Sequence, residues 1–341
     1  MEAERVGDPE AVPEVQRGRI QLAGSHARAV PIREIARRQG EARPVGLLPQ
    51  AQLRGHVTDE GGDSVSDVVF KASGISYSYP GGAAVLNEIS FEVRQGERAA
   101  ILGANASGKS TLLHLLDGLY FPSEGRIEAF GRELTEEGVE TPPFSREFRQ
   151  KVGFLFQNSD AQLFCSTVEE ELAFGPLQLG LSAEEVEHRV DETLRLFGVE
   201  HLRRRSPGAL SGGEKKKIAL AGLVTCSPEV ILLDEPSAGL DPRTQQWLVE
   251  FLEVLHKAGM TFVTCTHDLG FAADVADRAL VLSEDHGLAY DGPLNEALDD
   301  LDLLLSVNLI HAHAHLHDGE IHEHPHMHDL THEHRHMGSD R

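Results

Sequence analysis

The segment AAILGANASGKSTLLHLLDGL, residues 99–119, restricts the possible folds more than any other part of the chain. An apolar run predicts a strand, a glycine-rich loop of the pattern GxxxxGK[ST] follows it, and leucines at helical spacing follow the loop. A chance glycine-rich turn is the alternative, but the strand before the loop and the helix after it argue against that alternative. The segment therefore predicts an α/β fold organised around a phosphate-binding loop.

The loop predicts a site for a nucleoside triphosphate and Mg²⁺. Its backbone N–H groups can surround the β-phosphate, and the N-terminus of the following helix adds partial positive charge. We expect Lys109 to reach the β- and γ-phosphates and the hydroxyl of Ser110 to ligate Mg²⁺. The predicted nucleotide contacts of this segment are Gly103, Ala104, Asn105, Ala106, Ser107, Gly108, Lys109, Ser110 and Thr111.

A second apolar run, EVILLDEP at residues 229–236, ends in Asp234 and Glu235. An aspartate at the carboxyl end of a buried parallel strand can hold Mg²⁺ through water. A carboxylate one residue later can orient or deprotonate the water that attacks the γ-phosphate. Alone, this acidic pair is equally typical of a solvated strand end. Its combination with the phosphate loop favours a metal role for Asp234 and a catalytic role for Glu235.

Three further motifs occur in the order found in the ATP-binding subunits of ABC transporters. They are LSGGEKKKIALAG at residues 210–222, SAGLDP at 237–242 and TFVTCTHDLGF at 261–271. The chain resembles this family over about residues 68–292. The resemblance implies a P-loop NTPase with a RecA-like core, an antiparallel β-subdomain and a helical signature subdomain.

The resemblance also implies a role for each matching residue. Tyr79 would stack on adenine, and Glu235, His267 and Gln157 would form the catalytic set. Magnesium would be held by Ser110, Gln157 and Asp234. The signature residues and the D-loop aspartate would contact ATP held by a second subunit in a head-to-tail dimer; these are Ser211, Gly212, Gly213 and Asp241.

Two local expectations concern the phosphate loop and the helical subdomain. Ala106 stands where many family members have glycine, and alanine suits this position if the local φ is negative, because a Cβ makes the left-handed region costly. Thr167 and Ser182 are each followed three residues later by glutamate, which predicts the N-termini of two helices in the helical subdomain.

Changes in composition divide the chain into four parts. Residues 1–66 are rich in Arg, Glu, Gly and Pro without a sustained period, which predicts a flexible extension or a short element that folds on a partner. Residues 67–292 form the predicted ABC ATPase domain. Leucines at helical spacing after Pro293 predict a C-terminal helix over residues 293–310. Residues 311–341 form a histidine-rich tail.

The tail is predicted to bind Ni²⁺, Co²⁺ or Zn²⁺, because neutral imidazole suits these ions. In an extended chain, HxH spacing places both histidines on one face. A solvated low-complexity tail and an expression tag are the alternatives, although tags are usually contiguous and this run is interrupted by acids. The candidate metal ligands are His311, His313, His315, His317, His322, His324, His326, His328, His332, His334 and His336.

Charge and apolar content restrict the location and partners of the chain. The formal net charge is −24, from 31 Lys and Arg against 55 Asp and Glu, which disfavours a protein that mainly binds nucleic acid. Three widely spaced cysteines favour a reducing compartment. The sequence contains no apolar run long enough for a transmembrane helix. Together with these features, the resemblance to transporter ATP-binding subunits implies a peripheral protein at the cytoplasmic face of the inner membrane.

The amino-acid sequence of residues 155–176 is similar to that of ATPases from energy-coupling-factor importers, especially the cobalt and nickel branch. The leading interpretation is an ATP-hydrolysing subunit that energises import of cobalt or nickel. It would act as an ATPase dimer with an integral membrane coupling subunit and a substrate-binding membrane subunit. The alternatives are another cargo such as zinc, or a soluble ABC ATPase with a metal-buffering tail. The ATPase domain does not encode direction, so export also stays open.

Overall fold

The computed structural model describes residues 67–317 and 320–327, and the backbone alone within 311–317 and 320–327. The predicted flexible extension, residues 1–66, lies outside the described residues. The last part of the predicted metal-binding tail does too, including His328, His332, His334 and His336.

A four-stranded antiparallel sheet opens the described chain, in the order β2-β1-β4-β5. In β2, Phe91 and Val93 are buried and alternate with more exposed residues, as in a sheet with one covered face. The strands are β1 Val68–Ser78, β2 Ala84–Arg94, β4 Glu124–Ala129 and β5 Arg132–Glu133.

A six-stranded sheet in the order β10-β9-β3-β8-β7-β6 forms the centre of the molecule. Neighbouring strands are parallel except for β10, which is antiparallel to β9 at one edge. Every residue of β7 and β8 is buried, as expected where helices cover both faces. The strands are β3 Arg98–Leu102, β6 Val152–Leu155, β7 Val230–Asp234, β8 Thr261–Cys265, β9 Arg278–Leu282 and β10 Leu288–Pro293.

Helices connect and cover the strands. Thr167 and Ser182 accept hydrogen bonds from the backbone N–H groups of Glu170 and Glu185, so both predicted helix starts are confirmed. No helix within the described ranges has the length and apolar character needed to cross a membrane. The helices are α1 Lys109–Leu116, α2 Glu136–Glu140, α3 Phe144–Lys151, α4 Val168–Gln178, α5 Ala183–Phe197, α6 Gly212–Thr225, α7 Pro242–Lys257 and α8 Leu269–Val275.

The predicted single helix over residues 293–310 is wrong. Two short helices, α9 Leu294–Asp299 and α10 Leu301–Ser306, take its place. They meet at Asp300, whose φ of −88° and ψ of 89° are not helical. The carboxylate of Asp300 accepts the backbone N–H of Leu303 at 2.9 Å, so it caps a new helix rather than continuing the old one. Leucine spacing alone does not reveal this break.

Beyond α10 the chain forms a two-stranded antiparallel hairpin, β11 Ile310–His317 and β12 Glu320–Met327. Its first residue, Ile310, is buried in an apolar cluster with Leu304 of α10 and Leu102 of β3. The first part of the predicted tail is therefore continuous with the ATPase core. The predicted α/β phosphate-loop architecture is confirmed by the parallel sheet and the loop between β3 and α1.

Candidate nucleotide-binding site

The phosphate loop joins the carboxyl end of β3 to the N-terminus of α1. The ammonium group of Lys109 donates to the carbonyl oxygens of Gly103 at 2.8 Å and Ala104 at 2.9 Å, and this side chain is 7% exposed. Gly108 has a φ of +104°, and a Cβ added there would lie 2.6 Å from the carbonyl oxygen of Val85. The loop conformation therefore requires glycine at position 108 and holds the lysine over the loop.

Two features of the loop suit a bound phosphate group. The hydroxyl of Ser107 is buried and has no hydrogen-bond partner within the described part of the chain. A Cβ on Gly103 would lie 2.5 Å from that hydroxyl, so only glycine leaves the loop its present shape. A buried hydroxyl without a partner is costly unless a ligand satisfies it, and phosphate oxygens are strong acceptors.

The condition under which alanine would suit position 106, a negative φ, is not met. Its φ is +66°, in the left-handed region, and the residue is exposed. The geometry of the loop determines this backbone angle, and a single methyl group is small enough to be tolerated there at a cost of about 1 kcal/mol. Alanine at this position therefore leaves the loop intact but strained.

The ends of β7 and α1 combine to form a candidate Mg²⁺ site. The hydroxyl of Ser110 donates to Oδ1 of Asp234 at 2.9 Å, although the residues are 124 positions apart. Burial raises the pKa of Asp234, while the hydrogen bond from Ser110 opposes that rise. Hydroxyl and carboxylate oxygens are the hard ligands that Mg²⁺ prefers, so this pair fits the ion. Bound Mg²⁺ would neutralise charge on the β- and γ-phosphates.

Glu235 and His267 form the predicted catalytic pair. Oε1 of Glu235 lies 2.8 Å from Nδ1 of His267, and Oε2 accepts the hydroxyl of Thr266 at 3.2 Å. Glu235 has a φ of +42° and is 7% exposed, whereas the side chain of His267 is 44% exposed. A constrained, largely buried carboxylate beside a more accessible imidazole is an arrangement that can orient an attacking water.

Gln157 lies two residues beyond β6 and is exposed. Its backbone carbonyl accepts the ammonium group of Lys216 at 3.0 Å, and Lys216 is 4% exposed. Burial lowers the pKa of Lys216. This lysine connects the segment of Gln157 to helix α6, a contact that the sequence analysis missed.

A usable signal for Lys216 was present in the sequence. The run KKK at residues 215–217 resembles a solvated charged surface. However, Lys216 and Leu220 are four residues apart in α6 and therefore share a helix face. Leu220 is fully buried, so helical spacing assigns the middle lysine of the run to the buried side.

The signature residues begin α6 through a capping box. The hydroxyl of Ser211 accepts the backbone N–H of Glu214, and the carboxylate of Glu214 accepts the backbone N–H of Ser211 at 2.8 Å. The backbone N–H and the hydroxyl of Ser211 both donate to the carboxylate of Glu214, and these two bonds lower its pKa. The start of α6 is thus a rigid helix N-terminus, which suits anion binding.

The structure brings Asp241 to the signature residues. A Cβ added to Gly213 would lie 3.0 Å from the hydroxyl of Thr244, and that hydroxyl donates to Asp241 at 2.6 Å. Asp241 also accepts two backbone N–H groups as the N-cap of α7 and is itself exposed. One set of predicted residues therefore lies around the phosphate loop, and a second set shares the surface formed by the starts of α6 and α7.

Tyr79 follows β1 directly and is 40% exposed. Its ring makes edge contacts with Tyr77 at 5.2 Å and Tyr120 at 5.7 Å between centroids. Its hydroxyl lies 3.0 Å from that of Thr111 in α1. An exposed aromatic ring is thereby held next to the phosphate-loop helix, where it can stack on a base.

Comparison with known proteins decides the family. The sequence profile of the family described as "ABC transporter" matches residues 86–238. A protein of Methanosarcina acetivorans named as an ABC transporter ATP-binding protein is 53% identical over 271 residues, which cover 79% of this chain and 98% of the relative. The chain belongs to the ABC transporter family of ATP-binding proteins. It is an ATPase of the kind that energises transport.

Two other similar proteins have more specific names. The nickel import ATP-binding protein NikO of Rhodobacter capsulatus is 46% identical over 244 residues, covering 71% of this chain and 95% of NikO. The structure of CbiO1 from Clostridium perfringens, part of the CbiONQ transporter complex, matches with a TM-score of 0.62 and 33% identity. The match covers 71% of this ABC protein and 95% of CbiO1.

A third similarity concerns the assembled state of an ATPase. The structure of a dimeric ATP-binding cassette in a post-hydrolysis state, with ADP and phosphate bound, matches with a TM-score of 0.60 and 26% identity. The match covers 66% of this chain and 98% of that cassette. ABC ATPases dimerise and pair with membrane subunits, so two separate sets of site residues on one chain are expected for this family.

Proposed function

We propose that this ABC ATPase energises the import of nickel or cobalt as part of an energy-coupling-factor transporter. The observation that carries the proposal is a chain that joins a complete set of ATPase motifs to a run of alternating histidines, residues 311–336. Imidazole is a suitable ligand for divalent nickel and cobalt, the proposed cargo. The similarity to NikO, named for nickel import, and to CbiO1 supports this cargo class.

The two sets of site residues suggest how hydrolysis is coupled to assembly. In a head-to-tail dimer, the phosphate loop of one chain would face Ser211–Gly213 and Asp241 of the other, so each ATP would lie between two chains. Glu235 would accept a proton from the water that attacks the γ-phosphorus as the bond to the leaving oxygen breaks. His267 would orient Glu235. Dimer formation on ATP and separation after hydrolysis would drive the membrane partners.

The partners follow from the same proposal. They are an integral membrane coupling subunit and a substrate-binding membrane subunit, with the ATPase dimer peripheral at the cytoplasmic face of the membrane. The metal cargo would bind to the membrane subunits, since the residue types of the ATPase site suit phosphate and Mg²⁺.

Uptake of labelled Ni²⁺ and Co²⁺ in the native cells tests the cargo, with wild type compared with Glu235→Gln. We expect uptake of one of these metals to fall to background in the variant, because the carboxylate that activates water is absent. Glu137→Gln, an exposed glutamate of α2, makes the same chemical change away from the site and is the matched control. Equal expression of the chain and its membrane partners is verified by immunoblotting.

Unchanged uptake of both metals in Glu235→Gln would contradict the proposal. A selective loss of Zn²⁺ uptake in the same cells would instead assign zinc as the cargo. Loss of metal tolerance in Glu235→Gln without any change in uptake would favour ATP-driven export, the direction that the ATPase domain leaves open.

A further inference from the structure

The β11–β12 hairpin pairs histidine with histidine at three successive positions on one face. The strands are antiparallel, and residues two apart along a strand lie on the same face of a hairpin. In the observed register the directly opposed residues are His311 and His326, His313 and His324, and His315 and His322.

The other face of the hairpin has a different composition. Its opposed residues are mostly small or apolar: Ile310 and Met327, Ala312 and Pro325, Ala314 and Glu323, and Leu316 and Ile321. A slip of one residue would exchange the histidine face with the apolar face. The sequence pattern of both strands therefore specifies the register that aligns the histidines, which a random low-complexity tail would not do.

The hairpin begins inside the ATPase core. Ile310 is 4% exposed, and Leu309, before it, is 5% exposed and donates its backbone N–H to Leu304 at 3.0 Å. Ile310 belongs to the apolar cluster that includes Leu102, the residue before the phosphate loop. The first histidine pair therefore starts one residue from a buried anchor, so the hairpin is attached to the folded domain at its base.

Backbone geometry brings four histidine positions within reach of one ion. Opposed residues in an antiparallel pair have Cβ atoms about 5 Å apart, and successive positions on one face are about 7 Å apart along the strand. Two adjacent pairs therefore outline a rectangle of about 5 by 7 Å.

We propose that the β11–β12 hairpin is a divalent transition-metal site, because its register places two adjacent cross-strand histidine pairs side by side on one face. Neutral imidazoles in this number suit Ni²⁺, Co²⁺ and Zn²⁺. The site is a property of the hairpin itself and does not depend on which cargo the transporter carries.

Two double variants with identical composition test the register. His311→Gln/His326→Gln removes one opposed pair at the base and leaves the two adjacent pairs at 313/324 and 315/322. His311→Gln/His322→Gln removes the same number of histidines but leaves only one complete pair. Both are made in the full-length chain with the histidines beyond Met327 changed to Gln, so that the distal segment contributes equally. These are His328, His332, His334 and His336.

Binding is measured with Ni²⁺ by equilibrium dialysis and with Co²⁺ by visible absorption, at neutral pH. We expect the opposed-pair variant to keep the affinity of its parent within about threefold and the mismatched variant to lose at least about tenfold, because only three of four adjacent positions then hold histidine. Circular dichroism and ATPase rate confirm that both variants remain folded.

Equal affinities in the two variants would overturn the proposal, whether both are weakened or both are unchanged, because either result removes the dependence on register. The measurement uses no transport readout. Unchanged uptake in Glu235→Gln, together with different affinities of the two hairpin variants, would therefore reject the proposed cargo but support the hairpin site. Loss of Ni²⁺ or Co²⁺ uptake in Glu235→Gln, together with equal affinities of the two hairpin variants, would reject the hairpin site alone.

Discussion

The Nδ1 atom of His267 lies 2.8 Å from Oε1 of Glu235, although the two residues are 32 positions apart in the chain. The second carboxylate oxygen accepts the hydroxyl of Thr266, so both oxygens of Glu235 have partners. β7 and β8 are adjacent and parallel, and their carboxyl ends place these side chains together. A glutamate restrained from two sides keeps a fixed direction, as a general base must.

Replacing this glutamate should separate hydrolysis from binding. Glu235→Gln keeps the size of the side chain and an oxygen for Thr266 but cannot accept a proton at neutral pH. We expect kcat for ATP hydrolysis to fall by about 10²- to 10⁴-fold, with the Kd for ATP within about threefold of wild type. A phosphate-release assay and nucleotide titration measure the two quantities. A kcat within about twofold of wild type would exclude Glu235 as the base.

Ala106 offers a test of backbone strain in the phosphate loop. Its φ of +66° is unfavourable for alanine and favourable for glycine. We expect Ala106→Gly to raise the free energy of unfolding by up to about 1 kcal/mol, after the extra entropy of glycine in the unfolded chain is included. Urea denaturation monitored by circular dichroism gives the difference.

Ala104→Gly is the matched control for that experiment. Ala104 lies in the same loop, two residues away, and does not have a positive φ. Glycine relieves no strain there and adds only unfolded-state entropy, so we expect the free energy of unfolding to fall by about 0.5–1 kcal/mol. The same sign of change in both variants would show that the backbone angle at Ala106 does not carry the effect.

Tyr79 tests the predicted adenine contact. Tyr79→Ala removes the exposed ring, and we expect KM for ATP to rise about five- to tenfold with kcat nearly unchanged, because stacking contributes to binding alone. Tyr79→Phe retains the ring and loses only the contact with Thr111, so its KM should rise less than about threefold. Steady-state kinetics provide both values. Similar KM values for the two variants would contradict stacking.

Asp117, at the end of the phosphate-loop helix, should make stability depend on pH. It is 5% exposed, and burial raises its pKa from 3.8 to about 7, although the guanidinium of Arg149 opposes that rise. Between about pH 4 and 7 the folded state keeps a proton that the unfolded state has lost. The contribution of Asp117 to the free energy of unfolding is therefore greatest at low pH and is lost as the pH rises through about 7.

Asp117→Asn removes that titration while keeping an oxygen that can accept from Arg149, which lies 3.2 Å from Oδ2 in the wild type. From about pH 6 to 8 we expect the free energy of unfolding of wild type to fall by about 1 kcal/mol relative to the variant. Denaturant titrations at several pH values measure the difference. Parallel pH curves for the two proteins would contradict the raised pKa.

The local sequence was sufficient to predict the structure wherever the residues that determine it are neighbours in the chain. The phosphate loop, the strand before it and the helix after it lie within residues 98–116, and its glycines and lysine create their own geometry. The caps at Thr167 and Ser182 act over three residues, and both were predicted. The apolar runs that became β7 and β8 were equally visible, because strands covered on both faces are continuously hydrophobic.

Tertiary structure decided what depends on distant parts of the chain. The left-handed angle at Ala106 belongs to the folded loop, and the hydrogen bond from Lys216 to the carbonyl of Gln157 joins residues 59 positions apart. Asp300 interrupts a run of leucines that looked like one helix, because its carboxylate can cap a new start. The alternating histidines were plain in the sequence. Their alignment as opposed pairs is visible only in the register of the hairpin. The spacing of histidines is a property of one strand, whereas their pairing depends on how two strands align.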